Sequence, residues 1–322
     1  MNTIQNYQGE EDHEEGPLSI LNMNSRFKAL EICEKNLKML DEKIKASSEV
    51  AGSALDKENE RFPVWPNKVR AIPNSFLRSS LFSVSRTRRT GLEHEKIETV
   101  GDLQIFFTGT SLDQFDLYLF ENLAHLQRGR STNEDIRITA RSLLKTMGRS
   151  DSRSNYRQLA EQLDRLLKCQ VLIYSKEYIS KGHLLNRVTW DRATGELLIS
   201  LDSEIGTLFI KNQASYLPAS IRFRLRKSPF AQWLGGFYFS HRQPFPYRTS
   251  TLLKLSGANV NNERAAEQTL KLALDKLSAA CLEEKLKFTY VIRNGLVTVK
   301  RDDTKSETRQ DNGRVYRRPF IE

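Results

Sequence analysis

Within GFYFSHRQPFPYR, residues 236–248, His241, Arg242 and Tyr247 fall inside seven residues of one another. A histidine and an arginine can neutralise a phosphate while a tyrosine attacks it, which is the chemistry of a tyrosine recombinase. Such an enzyme draws these groups from well-separated segments, whereas here they crowd one connection, so a joint between helices is the expected reading. The aromatics are then core, Pro244 and Pro246 stiffen the connection, and His241 and Arg242 sit where cations suit the negative end of a helix dipole. The other histidines, His13, His94, His125 and His183, stand alone, and no Gly-rich loop closes on Gly-Lys-Ser/Thr. Cys33, Cys169 and Cys281 lie more than a hundred residues apart, too far in sequence for a CxxC pair, and read as small core residues. No catalytic residue, metal site or cofactor is expected, and the chain is not read as an enzyme.

Recognition of nucleic acid fits the charges better. The 322 residues carry 50 Lys+Arg against 40 Asp+Glu, but residues 1–60 hold 7 against 13, leaving 43 against 27 for the remainder. An acidic head on a strongly basic body suits a polyanion, with DNA ahead of an anionic membrane surface. Arg153, Ser154, Asn155, Arg157 and Gln158 crowd one short stretch, and arginine, asparagine and glutamine are the donors that suit guanine and adenine edges. Arg264, Gln268 and Lys271, spaced by four and three, gather on one face of a second stretch, with Glu267 and Asp275 on its flank. Arg187, Arg192 and the loop cations Arg86, Arg88 and Arg89 are candidates for phosphate or minor-groove contacts. A merely solvated polar face is the bland reading of either helix.

The elements that would carry these residues repeat. Thr139 caps TARSLLKTMG, which stops at Gly148, and SRSNYRQLAEQLDRLLK follows with Tyr156, Leu159, Leu163 and Leu166 as its buried stripe. Before them, Ser111 is expected to cap the helix SLDQFDLYLFENLAHLQRG, with Leu112, Phe115, Leu119, Leu123 and Leu126 on one face. After them come CQVLIYSK and a hairpin, HLLNRVTW and ELLISL. The order recurs: Ser228 and Pro229 start SPFAQWLGGFYFSH, TSTLLKLSG stops at Gly257, NERAAEQTLKLALDKLSAAC is long, and Asn294-Gly295 turns a hairpin. Helix, short helix, long helix and hairpin, twice, predicts an α+β chain of two tandem winged-helix domains with an N-terminal extension.

The expected divisions are an acidic region at 1–60 with a helix over Leu18–Ala46, a strand-rich extension at 61–110 packing on the first domain, winged helices at 111–220 and 221–300, and a polar, loose tail at 301–322. No run is long and apolar enough for a membrane span, and the first residues lack a secretory pattern, so a cytoplasmic location is expected.

VRAIPNSFLRSSLF at 69–82, IFFTGTSLDQFD at 105–116, the helix Tyr156–Leu166, and YFSHRQPFPYR with TLLKLSG resemble the TrfA family of plasmid replication initiators. The resemblance implies binding to direct repeats (iterons) in double-stranded origin DNA, opening of an adjacent AT-rich segment with contact to its single strands, recruitment of the host replicative helicase, and exchange between dimer and monomer. QFDLY at 114–118 is similar to a peptide that docks on the sliding clamp, a further expected partner. A clamp peptide binds extended and this one is predicted inside a helix, so its core reading is preferred. A winged-helix transcriptional regulator on operator DNA is the alternative function.

Overall fold

A computed structural model describes residues 61–85, 89–176, 178–210, 213–258 and 262–301, with the backbone of two further strands in the tail. The acidic head, the helix expected at 18–46, Cys33, and the arm residues Arg86 and Arg88 lie outside them.

The proline-punctuated segment forms β1 (Val69–Pro73), the single-turn helix α1 (Asn74–Leu77) and β2 (Phe82–Ser83). Pro73 ends the strand and enters the helix at φ −55°, the value its ring imposes. The antiparallel pair β3 (Gly91–Ile97) and β4 (Gln104–Thr110) follows, and β5 (Leu112–Asp113) lies parallel to β2. Asp113 then caps α2 (Gln114–Gln127). Its carboxylate accepts from the Phe115 and Asp116 amides at 2.9 and 3.1 Å, and the Asp116 carboxylate accepts from the Asp113 amide at 3.1 Å. The cap expected at Ser111 falls two residues later because residues 112–113 belong to the strand pair.

Next come β6 (Ile136–Thr139), α3 (Ala140–Thr146) and α4 (Arg153–Lys168), capped by Thr139 and Ser152. The strand after α4, β7 (Gln170–Tyr174), does not enter the hairpin. With β8 (Ile179–Gly182) it extends the earlier pair into a four-stranded sheet, ordered β3-β4-β7-β8. The hairpin itself is β9 (Leu185–Trp190) and β10 (Glu196–Leu201), with β6 on the far side of β10. Then α5 (Ser203–Ile210) leads to β11 (Ala214–Pro218), which pairs antiparallel with β1, and α6 (Ala219–Arg224) with the 3-10 turn Leu225–Lys227 carries the chain onward.

The second series is α7 (Pro229–Ser240), β12 (Tyr247–Arg248), α8 (Thr249–Leu255), α9 (Glu263–Glu283), β13 (Phe288–Arg293) and β14 (Leu296–Arg301), the last two turning through Asn294-Gly295 at positive φ. Its sheet order, β12-β14-β13, repeats β6-β10-β9. In the tail, where a loose chain was expected, β15 (Thr308–Asp311) pairs with β16 (Arg314–Arg317).

Two apolar cores lie side by side, one built from residues between Phe62 and Leu217 and one from residues between Ile221 and Val299. We call the regions around them the first and second modules. Cys169 and Cys281 are buried, one in each, and burial pushes both thiols up to about 12. The extension reaches both modules: β1 runs along the first, while Trp233 of α7 donates to the Ser79 carbonyl at 3.0 Å and Arg78 donates to Ser240 Oγ at 3.1 Å. Gly236 admits Leu77 so closely that a Cβ there would meet its side chain at 2.7 Å.

The first helix of the first module differs from its expected amphipathic form. α2 buries polar residues as well as apolar ones, and Phe115, expected inside, is half-exposed. Asp116 receives Arg165 at 2.7 Å and Arg89 at 3.0 Å, Glu121 receives Arg222 at 2.8 Å, and His125 accepts from Trp65 Nε1 at 2.9 Å. Gln114 donates to the Phe82 carbonyl at 2.6 Å, so QFDLY is locked in a buried helix. Buried polar groups are tolerated when each finds a partner. Here the partners come from segments about thirty to a hundred residues away, which no periodicity in α2 could announce.

Candidate nucleic-acid interface

Gly148 and Gly257 prepare the start of the long helix in each module. At φ +66° each takes the left-handed backbone that ends a helix, and each is followed by the same pair of bonds. Gly148 and Arg149 donate to the Lys145 and Leu144 carbonyls at 2.9 and 2.9 Å; Gly257 and Ala258 donate to those of Lys254 and Leu253 at 3.0 and 3.1 Å. A short helix, a left-handed stop and a long helix then fix where the exposed first turns of the long helix emerge.

On α4, Ser152 Oγ accepts from the Asn155 amide at 3.3 Å, and Leu159, Leu163 and Leu166 hold the helix against the core. Arg153, Ser154, Arg157 and Gln158 are exposed, and Arg157 is met only loosely by Glu161, at 3.8 Å. Asn155 is different: its amide nitrogen donates to the Ser150 carbonyl at 2.8 Å and to Ser150 Oγ at 3.0 Å, which engages it with the turn. Exposed Arg141 and Lys145 on α3 add cations beside this end, although Arg141 meets Asp151 at 3.0 Å.

On α9, Asn262 Oδ1 accepts from the Ala265 amide at 3.2 Å, and Arg264, Gln268 and Lys271 are all exposed. The flanking acids have structural duties. Glu267 accepts from Thr249 Oγ1 at 2.9 Å, tying α9 to the start of α8, and Asp275 accepts from the Tyr290 hydroxyl at 2.5 Å. In the first hairpin Arg192 is exposed in the turn, while Arg187 is held by Asp135 at 2.5 Å.

Arg89, expected as part of a DNA-contacting arm, is instead an anchor: it reaches Asp113 at 2.7 Å, Asp116 at 3.0 Å and the Ser111 carbonyl at 2.6 Å, clamping the cap of α2. The segment 236–248 divides between core and connection. Phe237 and Tyr238 are fully buried, Phe237 stacking on Trp233 at 5.0 Å, whereas Phe245 is 75% exposed in the connection. His241 does not act as a cation on the helix dipole. Burial lowers it to about 4, and its Nδ1 lies 2.7 Å from the Phe237 carbonyl, so the neutral ring caps the helix as a donor.

Sequence reasoning passed over Arg149, Arg226 and Lys227. A signal existed in the run IRFRLRK at 221–227, where four cations fall within six residues. The fold separates them: Arg222 is buried against Glu121, Arg224 meets Glu283 and Glu284, and only Arg226 and Lys227 remain without a carboxylate partner among the described residues. Among those residues, too, no cluster of His, Cys, Asp and Glu could hold a metal ion, and no helix is long and apolar enough to cross a membrane.

A family model described as TrfA protein matches residues 54–301. The plasmid replication initiator protein TrfA of Escherichia coli is 26% identical over 231 residues, a match covering 68% of this chain and 59% of that protein, so the chain spans about three-fifths of its relative. Among solved structures, domains 2 and 3 of RctB match with 14% identity and a TM-score of 0.46 over 70% of this chain and 94% of that one. The Pi initiator protein in complex with iteron DNA matches with 13% identity and a TM-score of 0.42 over 60% and 95%.

Proposed function

The chain belongs to the TrfA protein family, and from that premise we propose that it is a plasmid replication initiator whose two modules are tandem winged helices reading direct repeats in origin DNA. The observation that carries the reading is the repetition itself: in both modules a left-handed glycine stop precedes a long helix whose first turns expose basic and amide side chains. Such turns fit the major groove, where arginine pairs with guanine and glutamine with adenine. Arg153, Arg157 and Gln158 form one reading head, with Ser154 beside them, and Arg264, Gln268 and Lys271 form the other. Arg192 reaches phosphate from the first hairpin, and Arg187 joins it where DNA competes with Asp135. Asn155 shapes the turn under the first head. Opening of an AT-rich segment with contact to its single strands, recruitment of a host helicase, and exchange between dimer and monomer belong to the same proposal.

Selection of duplexes from a random DNA pool, followed by footprinting on the DNA flanking the chain's own gene, tests it. Direct repeats about two helical turns apart beside an AT-rich tract support initiation. A single palindrome over a promoter would support a transcriptional regulator on the same fold, and no recovered sequence at low salt would reject DNA reading altogether.

A further inference from the structure

A cleft of about 790 Å³ opens between the two modules, and its position is informative. Asn155 and Gln158, from the first turns of α4, line one side, and Gly257, in the turn that leads to α9, lines the other. The first proposed reading head therefore borders this opening, and the second module reaches it through Arg226, Lys227 and the turn at Gly257. Its charged lining is five cations, Arg89, Arg149, Arg165, Arg226 and Lys227, against two carboxylates, Asp113 and Glu161. Asp113 is already met by Arg89, and Asp116 below it holds Arg165.

Three cations in the cleft have no carboxylate within ion-pair distance among the described residues: Arg149, Arg226 and Lys227. Arg226 is held in place by Phe223. Its guanidinium carbon lies 3.9 Å from the Phe223 ring centre, and Nη1 donates to the Phe223 carbonyl at 2.8 Å. The same ring covers the turn of the first module, so closely that a Cβ on Gly148 would come within 2.4 Å of it. Arg149, the next residue, donates to Gln162 Oε1 at 2.8 Å, and Gln162, 3% exposed, leaves its amide Nε2 buried and without a partner. A buried donor without a partner and cations without a carboxylate would both gain from an anion seated beside them.

We infer that this cleft is a clamp for the sugar–phosphate backbone, seating phosphates of the strand that runs past the first reading head toward the second module. Arg226 and Lys227 from the second module and Arg149 with Gln162 from the first supply the donors, and Phe223 sets their spacing. The clamp rests on the duplex-reading function above. It adds affinity and register and carries no base preference, because phosphates are common to every sequence.

The test uses the full chain, a duplex recovered by the selection above, and an Arg226→Ala/Lys227→Ala double variant, with Lys68→Ala, an exposed cation outside the cleft, as control. Each lost phosphate contact lowers the slope of log affinity against log salt by about 0.9, so the double variant should lose close to about 2 in slope while selecting the same sequence. Lys68→Ala should keep the wild-type slope. Uncharged methylphosphonates at the backbone between the two footprinted grooves should weaken the wild type several-fold and the double variant clearly less, since only Arg149 and Gln162 remain there to lose a phosphate. An unaltered slope in the double variant, or an equal methylphosphonate penalty in both proteins, would overturn the clamp alone. A wild type that recovers no duplex would overturn the clamp and the duplex-reading function together.

Discussion

The two modules share an order of elements and a helix stop, yet their first helices are built on opposite chemistry. α7 packs Trp233, Phe237 and Tyr238 into an aromatic core that Tyr247 and Phe288 complete, with ring centres 5.2 and 5.9 Å away. α2 surrounds its apolar residues with Asp116, Glu121, Asn122, His125 and Gln127, all buried. Apolar burial tolerates modest change because the hydrophobic effect is non-directional. A buried charge tolerates almost none, since removing its partner leaves the full desolvation penalty. The first module is thereby tied to its surroundings: Arg222 of α6 also donates to the Gln232 carbonyl of α7 at 3.0 Å, so the Glu121 pair joins the two modules. Burial raises the Glu121 carboxyl and the opposed Arg222 charge pulls it back, which is the balance expected of such a joint.

Breaking that joint should have the largest effect. Glu121→Ala strands Arg222 in the core and is expected to cost about 3 to 5 kcal/mol in denaturant unfolding, whereas Glu121→Leu with Arg222→Met should recover most of it. A Glu121→Ala protein of wild-type stability would remove the contrast with α7. Acid sharpens the same contrast. Burial lowers His125 to about 3, so below pH 6.5 the unfolded chain takes up a proton that the folded chain refuses. The stability His125 contributes is complete above that pH and falls as pH drops toward 3. Between pH 7 and 5 the wild type should lose about 2 kcal/mol more than His125→Gln, measured by urea titration at each pH.

The reading heads can be compared on one selected duplex. Arg157→Ala is expected to weaken binding by about 1 to 3 kcal/mol and relax one base position. Arg264→Ala should do less, because fewer cations flank the start of α9. Equal losses in competition titrations would make the heads equivalent. The smallest effect is expected from Asn155→Ala: about 1 kcal/mol of stability from the lost turn bonds, with the selected sequence unchanged. A shifted base preference would return Asn155 to the reading head.

Much of this architecture was legible without coordinates. The stops at Gly148 and Gly257, the Thr139 cap, the stripe Leu159/Leu163/Leu166, the long segment NERAAEQTLKLALDKLSAAC and the Asn294-Gly295 turn are local signals, and the helices and hairpins appear where those signals stand. Arg153, Arg157, Gln158, Arg264, Gln268 and Lys271 were legible as exposed for the same reason, since a residue opposite a buried stripe faces water. Less visible was β7, a strand that reads the same whether it joins the hairpin or the β3–β4 sheet. α5 and α6 went unread between clearer elements, and Arg89, indistinguishable in sequence from its neighbours in SRTRRTG, turned out to hold the cap of α2.

The sequence by itself determined much of the local grammar: where the long helices run, where the short helices before them stop, and which polar faces meet solvent, because periodicity and turn chemistry act over a few residues. Tertiary structure alone decided which charges are free. Of the four cations in IRFRLRK, one is buried against Glu121, one is paired with Glu283 and Glu284, and two line the cleft beside Arg149. An ionic partner a hundred residues away leaves no trace in local spacing, and a cation without one is distinguishable only after the chain has folded.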